Sequence, residues 1–278
     1  EILYMGLLKN DIMVGNSLVD MYAKCGLLTT AQKLVEELSL NNLVTFNSLL
    51  AAYAQHGQGH EALNYFEQML KNGHTPDVVT FICILKACGC KEGLENGKQI
   101  HDKIVSKGLL DETIVIGNAL VDMYTKCDMF SEAQDVLEKL PFRDTISWSA
   151  LISGYAEQQR GHEALKCFEH MQNEGLSPDA ITFISILKAC SDTRDLKKGI
   201  CIHDELLSTK LLEKDVMLGT ALVDMYAKCN ALDKAKQVLK QLPVRDVISW
   251  NAFIAGCVQH GRCHEAWSSF ECMESEGL

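Results

Sequence analysis

One eleven-residue stretch occurs three times in this chain and restricts its possible folds more than any other feature. It reads GNSLVDMYAKC at Gly15–Cys25, GNALVDMYTKC at Gly117–Cys127 and GTALVDMYAKC at Gly219–Cys229. Successive copies are separated by 102 residues in both cases. Self-similarity at a fixed period is the signature of a repeat protein, in which each repeat packs on its neighbours. The repeats must therefore be defined before any residue is assigned a chemical role.

Each 102-residue period divides into three pairs of amphipathic helices. In the first pair, Leu18 and Tyr22 mark an apolar helix face, Gly26 ends that helix, and Leu34 and Leu38 mark a second helix. The three pairs contain 31, 35 and 36 residues, and we name them short, standard and long repeats. The predicted boundaries are 1–11 (partial long), 12–42 (short), 43–77 (standard), 78–113 (long), 114–144 (short), 145–179 (standard), 180–215 (long), 216–246 (short) and 247–278 (partial standard).

The pattern predicts an all-α protein. No segment shows the alternation of a strand, and each helix pair must bury its apolar face on its neighbours. The expected fold is an α-solenoid, or superhelix, of stacked antiparallel helix pairs running as one array through residues 1–278. No apolar run approaches the ~20 residues of a membrane-spanning helix, so no membrane role is expected. No signal or transit peptide opens the sequence, and we expect the chain to be a fragment of a longer protein.

Charge and cysteine content argue against several classes of function. The net charge of −11 disfavours bulk electrostatic binding to nucleic acid or to anionic membranes. The twelve cysteines contain no C-x-x-C pair, so a structural zinc site has little support. Cys25, Cys127 and Cys229 recur at one position of the repeat, and Cys88 and Cys190 recur at another. We interpret them as core thiols in a reducing compartment, and we expect no metal and no cofactor.

One helical repeat family deserves comparison first. The tetratricopeptide pattern is matched by five residues of one standard repeat, namely Trp148, Leu151, Tyr155, Ala164 and Phe168. However, Ile152 lies where that pattern has glycine, and the repeat lengths of 31, 35 and 36 differ from its uniform ~34 residues.

A second family fits the alternating lengths. Its motifs recur in all three repeat types: Val44–Leu50 (VTFNSLL), Glu61–Leu63 and Pro76–Asp77 in the standard repeat; Thr80–Phe81, Leu85–Cys88 and Gly97–His101 in the long repeat; Gly117–Cys127, Leu140–Pro141 and Arg143–Asp144 in the short repeat. Over its whole length the chain resembles the pentatricopeptide repeat family. Within that family it is similar to the PLS subclass of land-plant organellar proteins, which alternate long, short and standard repeats.

The resemblance implies sequence-specific binding of single-stranded RNA, at about one base per repeat. In the family, the fifth and the last residue of a repeat read the base. The corresponding pairs here are Asn16 with Asn42, Asn47 with Asp77, Asn118 with Asp144, Ser149 with Asp179, and Thr220 with Asp246, while Asn251 has no partner before the chain ends. The long repeats instead carry Ile82 with Thr113 and Ile184 with Asp215. Because isoleucine cannot form a hydrogen bond, we expect these two repeats to read little.

Two further sets of residues follow from the same resemblance. The second residue of a repeat is apolar and in the family wedges between bases; here these residues are Met13, Val44, Val115, Ile146, Met217 and Ile248. Lysines recur on the first helix of each short repeat and could meet phosphates, namely Lys24, Lys126 and Lys228. The alternative for the lysines is an ion pair with the aspartate four residues earlier, and the sequence leaves both possibilities open.

The polar fifth residue also has an alternative explanation. Asn, Ser and Thr favour helix N-caps, so this position could serve only to start a helix. Capping by the fifth residue would not explain why the last residue of the repeat is also Asp or Asn. We therefore favour base recognition.

The residue pairs predict a base order. Uracil and guanine carry a ring N–H on the Watson–Crick edge, so they suit an acceptor-only carboxylate, whereas an amide such as Asn42 can also donate to cytosine. By resemblance, Asn at the fifth position favours pyrimidines, Ser or Thr favours purines, and the RNA runs parallel to the chain. The predicted target is 5′-(C or U)-U-any-U-G-any-G-pyrimidine-3′.

Catalysis is not expected. Members of the subclass often carry a C-terminal cytidine deaminase domain, which needs H-x-E and C-x-x-C to hold zinc. His203–Glu205 matches H-x-E, but its repeat equivalent at His101 has Lys103 in place of the glutamate, so His203 is interpreted as a scaffold residue. Editing-complex proteins or a deaminase domain beyond the C-terminus are the other expected partners, in a mitochondrion or chloroplast. The acidic balance favours the alternative of a tetratricopeptide-like protein-binding scaffold.

Overall fold

The described part of the chain is helical throughout. The computed structural model describes residues 12–278 except positions 39, 41, 210 and 214, and the predicted partial repeat 1–11 lies outside the described residues. Within the described ranges there are seventeen α-helices, two short 3₁₀ turns and no strand. In chain order the helices are α1 (Ile12–Lys24), α2 (Leu28–Leu38), α3 (Leu43–Gln55), α4 (Gly59–Lys71), α5 (Val78–Ala87), α6 (Leu94–Ser106), α7 (Leu109–Glu112), α8 (Ile114–Lys126), α9 (Phe130–Lys139), α10 (Thr145–Glu157), α11 (Gly161–Asn173), α12 (Ala180–Thr193), α13 (Leu196–Thr209), α14 (Val216–Lys228), α15 (Leu232–Gln241), α16 (Val247–Gln259) and α17 (Cys263–Ser275).

The helices form two compact bodies. The N-terminal body ends at Arg143 and the C-terminal body begins at Asp144. In the N-terminal body the first helices of successive repeats, α1, α3, α5 and α8, pack on one another in that order. In the C-terminal body α10, α12, α14 and α16 do the same, and in both bodies each first helix also packs on the second helix of its own repeat. Each body is therefore a stack of helix pairs.

From α3 onward, each first helix begins directly after the last residue of the preceding repeat. At Asp77 the backbone is extended, and the carboxylate accepts the Thr80 N–H over 2.8 Å. Among the described residues, the last residue of each complete repeat caps the next helix through a side-chain oxygen: Asn42, Asp77, Thr113, Asp144, Asp179, Asp215 and Asp246. An N-cap side chain satisfies a backbone N–H that has no partner inside the helix. The interpretation that capping cannot explain the Asp or Asn at the last position was wrong, because the side chain at this position caps the next helix.

The turn inside each short repeat uses a left-handed residue. Gly26, Asp128 and Asn230 occupy equivalent positions and have φ values of 76°, 61° and 58°. Glycine, aspartate and asparagine tolerate this conformation better than other residues. The three different residues therefore form the same turn, and the second helix returns against the first.

The repeated cysteines are core residues with one exception. Cys88, Cys127 and Cys190 are buried and Cys229 is half-buried, and the Cys127 thiol lies 3.4 Å from the Cys88 carbonyl of the preceding long repeat. Cys25 is exposed, contrary to the prediction. In the part of the chain that the structure describes, no helix has the length and apolar character needed to cross a membrane.

Candidate nucleic-acid interface

The fifth residue of each repeat lies inside the first helix, about one turn after its start. Asn16, for example, is the fifth residue of α1, and Asn47 is the fifth residue of α3. Asn47 does not occupy the N-cap of its helix, which belongs to Asn42, the last residue of the preceding repeat. The capping explanation for the fifth position was therefore wrong. Its polar side chain needs another explanation.

The first standard repeat brings its fifth and last residues together. Asn47 Nδ2 lies 3.2 Å from Asp77 Oδ1 and donates to it. Partial burial raises the pKa of Asp77, but the hydrogen bonds from Thr80 and Asn47 outweigh this effect, so that pKa lies below its ordinary value. Asp77 is therefore an ionised, acceptor-only group at neutral pH.

The first short repeat contains an equivalent pair. Asn42 Nδ2 lies 3.3 Å from Asn16 Oδ1. Asn42 also caps α3 through its side-chain oxygen, which accepts the Thr45 N–H over 3.0 Å. The last residue of this repeat thus starts the next helix and at the same time contacts the fifth residue of its own repeat.

The remaining predicted residues occupy the same helical positions, but their contacts differ. Asn118 is buried on α8 of the N-terminal body, whereas Asp144 caps α10 of the C-terminal body. Ser149 is buried on α10 and Thr220 is half-buried on α14. No hydrogen bond joins Ser149 to Asp179 or Thr220 to Asp246, since the shorter side chains do not span the gap that asparagine spans. Asn251 is exposed on α16.

The apolar second residues are all on the surface. Their exposed fractions run from 50% for Val115 to 74% for Met13, and the set is Met13, Val44, Val115, Ile146, Met217 and Ile248. The long repeats add Val79 and Ile181, exposed by 51% and 61%, which the sequence reasoning missed. Alignment of the second position across all repeats would have found them. Single exposed apolar residues are ordinary on a protein surface, but here they recur at the same position of each described repeat.

The three repeated lysines form ion pairs. Lys24, Lys126 and Lys228 lie 2.7–2.8 Å from the aspartates at 20, 122 and 224, in the i,i+4 arrangement. Exposed pairs of this kind contribute at most about 1 kcal/mol. The structure therefore shows the ion-pair alternative, and the phosphate role stays a prediction.

The histidine of the H-x-E match packs inside the scaffold. His203 Nδ1 lies 2.8 Å from the Tyr226 hydroxyl, and His101 Nδ1 lies 2.9 Å from the Tyr124 hydroxyl. Burial lowers the pKa of both histidines. The same contact in both long repeats, with or without a nearby glutamate, identifies His203 as a residue that joins a long repeat to the following short one.

Two sequence models of one repeat family together match most of the chain. The PPR repeat family model matches residues 41–90 and 143–192, and the PPR repeat model matches residues 16–43, 118–143, 220–247 and 248–278. The chain belongs to the pentatricopeptide repeat family. The matches at 41–90 and 143–192 each cover a standard repeat and all or most of the first helix of the following long repeat. The tetratricopeptide pattern seen at Trp148 is therefore not the sign of that family.

Many pentatricopeptide repeat proteins of Arabidopsis thaliana are similar over almost the whole chain. One named as chloroplastic is 38% identical over 98% of this chain, which corresponds to 44% of that protein. Another, named as mitochondrial, is 36% identical over 97% of this chain and 42% of its own length. The chain therefore spans less than half the length of these relatives.

Solved structures confirm the fold class. The pentatricopeptide repeat protein PPR10 from maize matches 96% of this chain and 39% of its own, with a TM-score of 0.76 and 19% identity. PPR10 in complex with an 18-nt psaJ RNA element matches 96% of this chain and 40% of its own, with a TM-score of 0.75. At this identity the likeness establishes an α-solenoid of pentatricopeptide helix pairs and nothing about the ligand.

Proposed function

We propose that this chain binds single-stranded RNA in a sequence-specific manner, with about one base per repeat. The observation that carries the proposal is the Asn47–Asp77 pair, joined over 3.2 Å beside the exposed apolar Val44. A donor and an acceptor beside an apolar surface can bind the edge and the face of one base. The same combination recurs at Asn16, Asn42 and Met13.

The remaining repeats supply the rest of the proposed array. Asn118, Ser149 with Asp179, Thr220 with Asp246, and Asn251 would each read one base, next to Val115, Ile146, Met217 and Ile248. Val79 and Ile181 of the long repeats are exposed like the others, so these repeats would stack on a base without selecting it. The proposed order of bases is 5′-(C or U)-U-any-U-G-any-G-pyrimidine-3′.

The acidic character of the chain is compatible with this mode of binding. Recognition of bases by stacking and edge contacts depends less on phosphate neutralisation than duplex binding does. Lys24, Lys126 and Lys228 would contact phosphates at little cost, because their exposed ion pairs are weak. Affinity should therefore depend only moderately on salt.

The cellular role follows from the relatives. We propose that the chain acts in a mitochondrion or a chloroplast, since similar proteins are named for one or the other. The alternation of 31-, 35- and 36-residue repeats supports the PLS subclass and, with it, a role in guiding transcript processing such as C-to-U editing. The proposed role is binding rather than catalysis, with the chemistry supplied by a deaminase domain or by editing-complex proteins outside residues 1–278.

Selection from a randomised RNA pool tests the proposal directly. RNA bound to the purified chain is sequenced, and enrichment of the order above is the expected result. Enrichment of no sequence would contradict the proposal. It would favour the alternative of a protein-binding scaffold, for which the net charge of −11 is the supporting observation.

A further inference from the structure

The third residue of every standard and long repeat is a buried hydroxyl residue. These residues are Thr45, Thr80, Ser147, Thr182 and Ser249, and each is at most 1% exposed. Short repeats have aliphatic residues at this position, such as Ile116 and Leu218. A buried hydroxyl must have a hydrogen-bond partner, and the choice of partner differs between repeats.

The hydroxyl of Thr80, in the first complete long repeat, bonds to the fifth residue of the preceding standard repeat. Thr80 Oγ1 lies 2.7 Å from Asn47 Oδ1 and 2.8 Å from Asp77 Oδ1, and it has one proton to donate. Asp77 Oδ1 already accepts the Thr80 N–H and the Asn47 Nδ2. Because Asp77 accepts but cannot donate, Asn47 must turn its nitrogen to Asp77 and its oxygen to Thr80. The Thr80 proton therefore goes to Asn47 Oδ1.

The first short repeat shows the same arrangement through a different last residue. Asn42 Oδ1 accepts the Thr45 N–H, so its Nδ2 must face Asn16. The atom of Asn16 that receives this bond is then its oxygen. Thr45 Oγ1 donates to the same oxygen over 2.7 Å. Both asparagines thus have their oxygen held toward the protein, which leaves Nδ2 protons as the donors that a ligand can meet.

Repeats with a short fifth residue lack this contact. Thr182 Oγ1 lies 2.7 Å from Asp179 Oδ1, and no hydrogen bond joins it to Ser149. Ser249 Oγ donates to the backbone carbonyl of Asp246 over 2.8 Å rather than to Thr220. The hydroxyl therefore orients the fifth residue only where that residue is an asparagine long enough to reach it.

We propose that Thr45 and Thr80 are specificity-determining residues, which orient the carboxamides of Asn16 and Asn47 so that each presents a donor to the base. The inference rests on the proposed function and extends base selection beyond the fifth and last residues. At Asn47 the result is an amide donor beside the Asp77 acceptor. This arrangement complements uracil, in which a carbonyl adjoins the ring N–H, and it opposes cytosine, whose ring nitrogen accepts.

The Thr80→Val variant tests the inference, because valine keeps the shape of threonine but has no hydroxyl. Binding of the full chain is measured to two RNAs of the proposed order that differ only by U or C at the second base. We expect the preference for U to fall by about three- to ten-fold, the effect of one lost hydrogen bond. Thr80→Ser should restore the preference, since it restores the donor.

The matched control is Thr182→Val. It also removes a hydroxyl that bonds to a cap residue, but the fifth residue of the preceding repeat is Ser149. We expect the Thr182→Val chain to prefer G at the fifth base to within about two-fold of the wild-type preference. It loses a contact to a cap residue as Thr80→Val does. If Thr80→Val does not fold, Thr80→Cys provides the same test, since a thiol is similar in size and a weak donor.

The outcomes separate the two proposals. A wild-type chain that prefers U, together with a Thr80→Val chain that folds and keeps the same preference, would overturn the inference alone. A wild-type chain without any base preference would overturn the proposed function and this inference with it. An equal loss of affinity for both RNAs would show that Thr80 only stabilises the helix, and the inference would then be wrong.

Discussion

Asn47 Nδ2 lies 3.2 Å from Asp77 Oδ1, although thirty residues separate the two in sequence. The contact forms because Asp77 caps the first helix of the next repeat, which packs beside the helix that carries Asn47. One carboxylate therefore starts a helix and completes a recognition pair. Substitutions of a last residue must consequently be designed to separate these two effects.

Base preference at the seventh position should change with the residue pair. Asp246→Asn is expected to change the preference from G to A, because an amide can donate to a ring acceptor whereas a carboxylate cannot. Thr220→Asn is expected to change it from G to U, since by resemblance to the family an asparagine at the fifth position favours pyrimidines. Each mismatch should cost about 1–3 kcal/mol. The measurement is binding of each variant to four RNAs that differ only at this base. If both variants bind normally and still prefer G, the base assignment is wrong.

The capping role of Asp246 should appear in stability measurements. Its side chain accepts the Ser249 N–H over 2.8 Å, and alanine cannot replace this bond. We expect Asp246→Ala to lower the free energy of unfolding by about 1 kcal/mol, and Asp246→Asn to lower it by only about a few tenths, since asparagine is an equally good N-cap. Urea unfolding followed by circular dichroism checks both. Equal destabilisation by the two variants would contradict the capping role.

The exposed second residues should contribute to RNA affinity but not to stability. Ile146 and Ile248 are 60% and 66% exposed, so the protein loses little packing when either becomes alanine. If each covers a base, the double variant should bind the predicted RNA about five-fold or more weakly, from lost apolar burial. Val244→Ala is the control, because Val244 is 56% exposed but lies outside the second position. Equal binding by the double variant and the control would exclude a stacking role.

The chain should prefer single-stranded RNA over a duplex of the same sequence. The bases must be unpaired for their edges to meet side chains such as Asn47 and Asp77. A gel-shift comparison of the predicted RNA, alone and annealed to its complement, measures the preference. Equal affinity for both forms would indicate backbone binding.

Stability should fall on mild acidification because of two histidines. Burial lowers the pKa of His101 and His203 below the ordinary value of 6.5, so the unfolded chain binds protons that the folded chain does not. Their contribution is complete above pH 6.5 and is lost as the pH falls below it. Between about pH 7.5 and 5.5 the urea midpoint should therefore decrease, and it should decrease less in the His101→Gln/His203→Gln double variant.

The control for this experiment is the double glutamine variant of His60 and His162, both exposed on the second helices of standard repeats. The change of the urea midpoint with pH is compared between the two double variants, and the larger reduction is expected for His101/His203. A His101/His203 variant with an unchanged slope would show that other groups cause the acid sensitivity.

The sequence by itself determined the array of helix pairs. The copies of the motif ending at Cys25, Cys127 and Cys229 set the period, and each first helix starts at a predicted first residue, such as Leu43 or Thr145. Apolar spacing and cap residues are local signals, so one sequence suffices to read them. Family motifs such as Val44–Leu50 then gave the family, which the comparisons confirmed.

Only the tertiary structure decided which polar atoms meet. The sequence marked Asn16 and Asn42 as a pair, yet the oxygen of Asn16 is oriented by Thr45, which belongs to the following repeat and lies 29 positions away. It also decided that the last residue caps while the fifth does not, and that Lys126 reaches Asp122. These choices depend on how neighbouring helices stack, because a hydrogen bond forms only when two atoms come within about 3 Å in a suitable orientation. A pattern of residue types does not contain that distance.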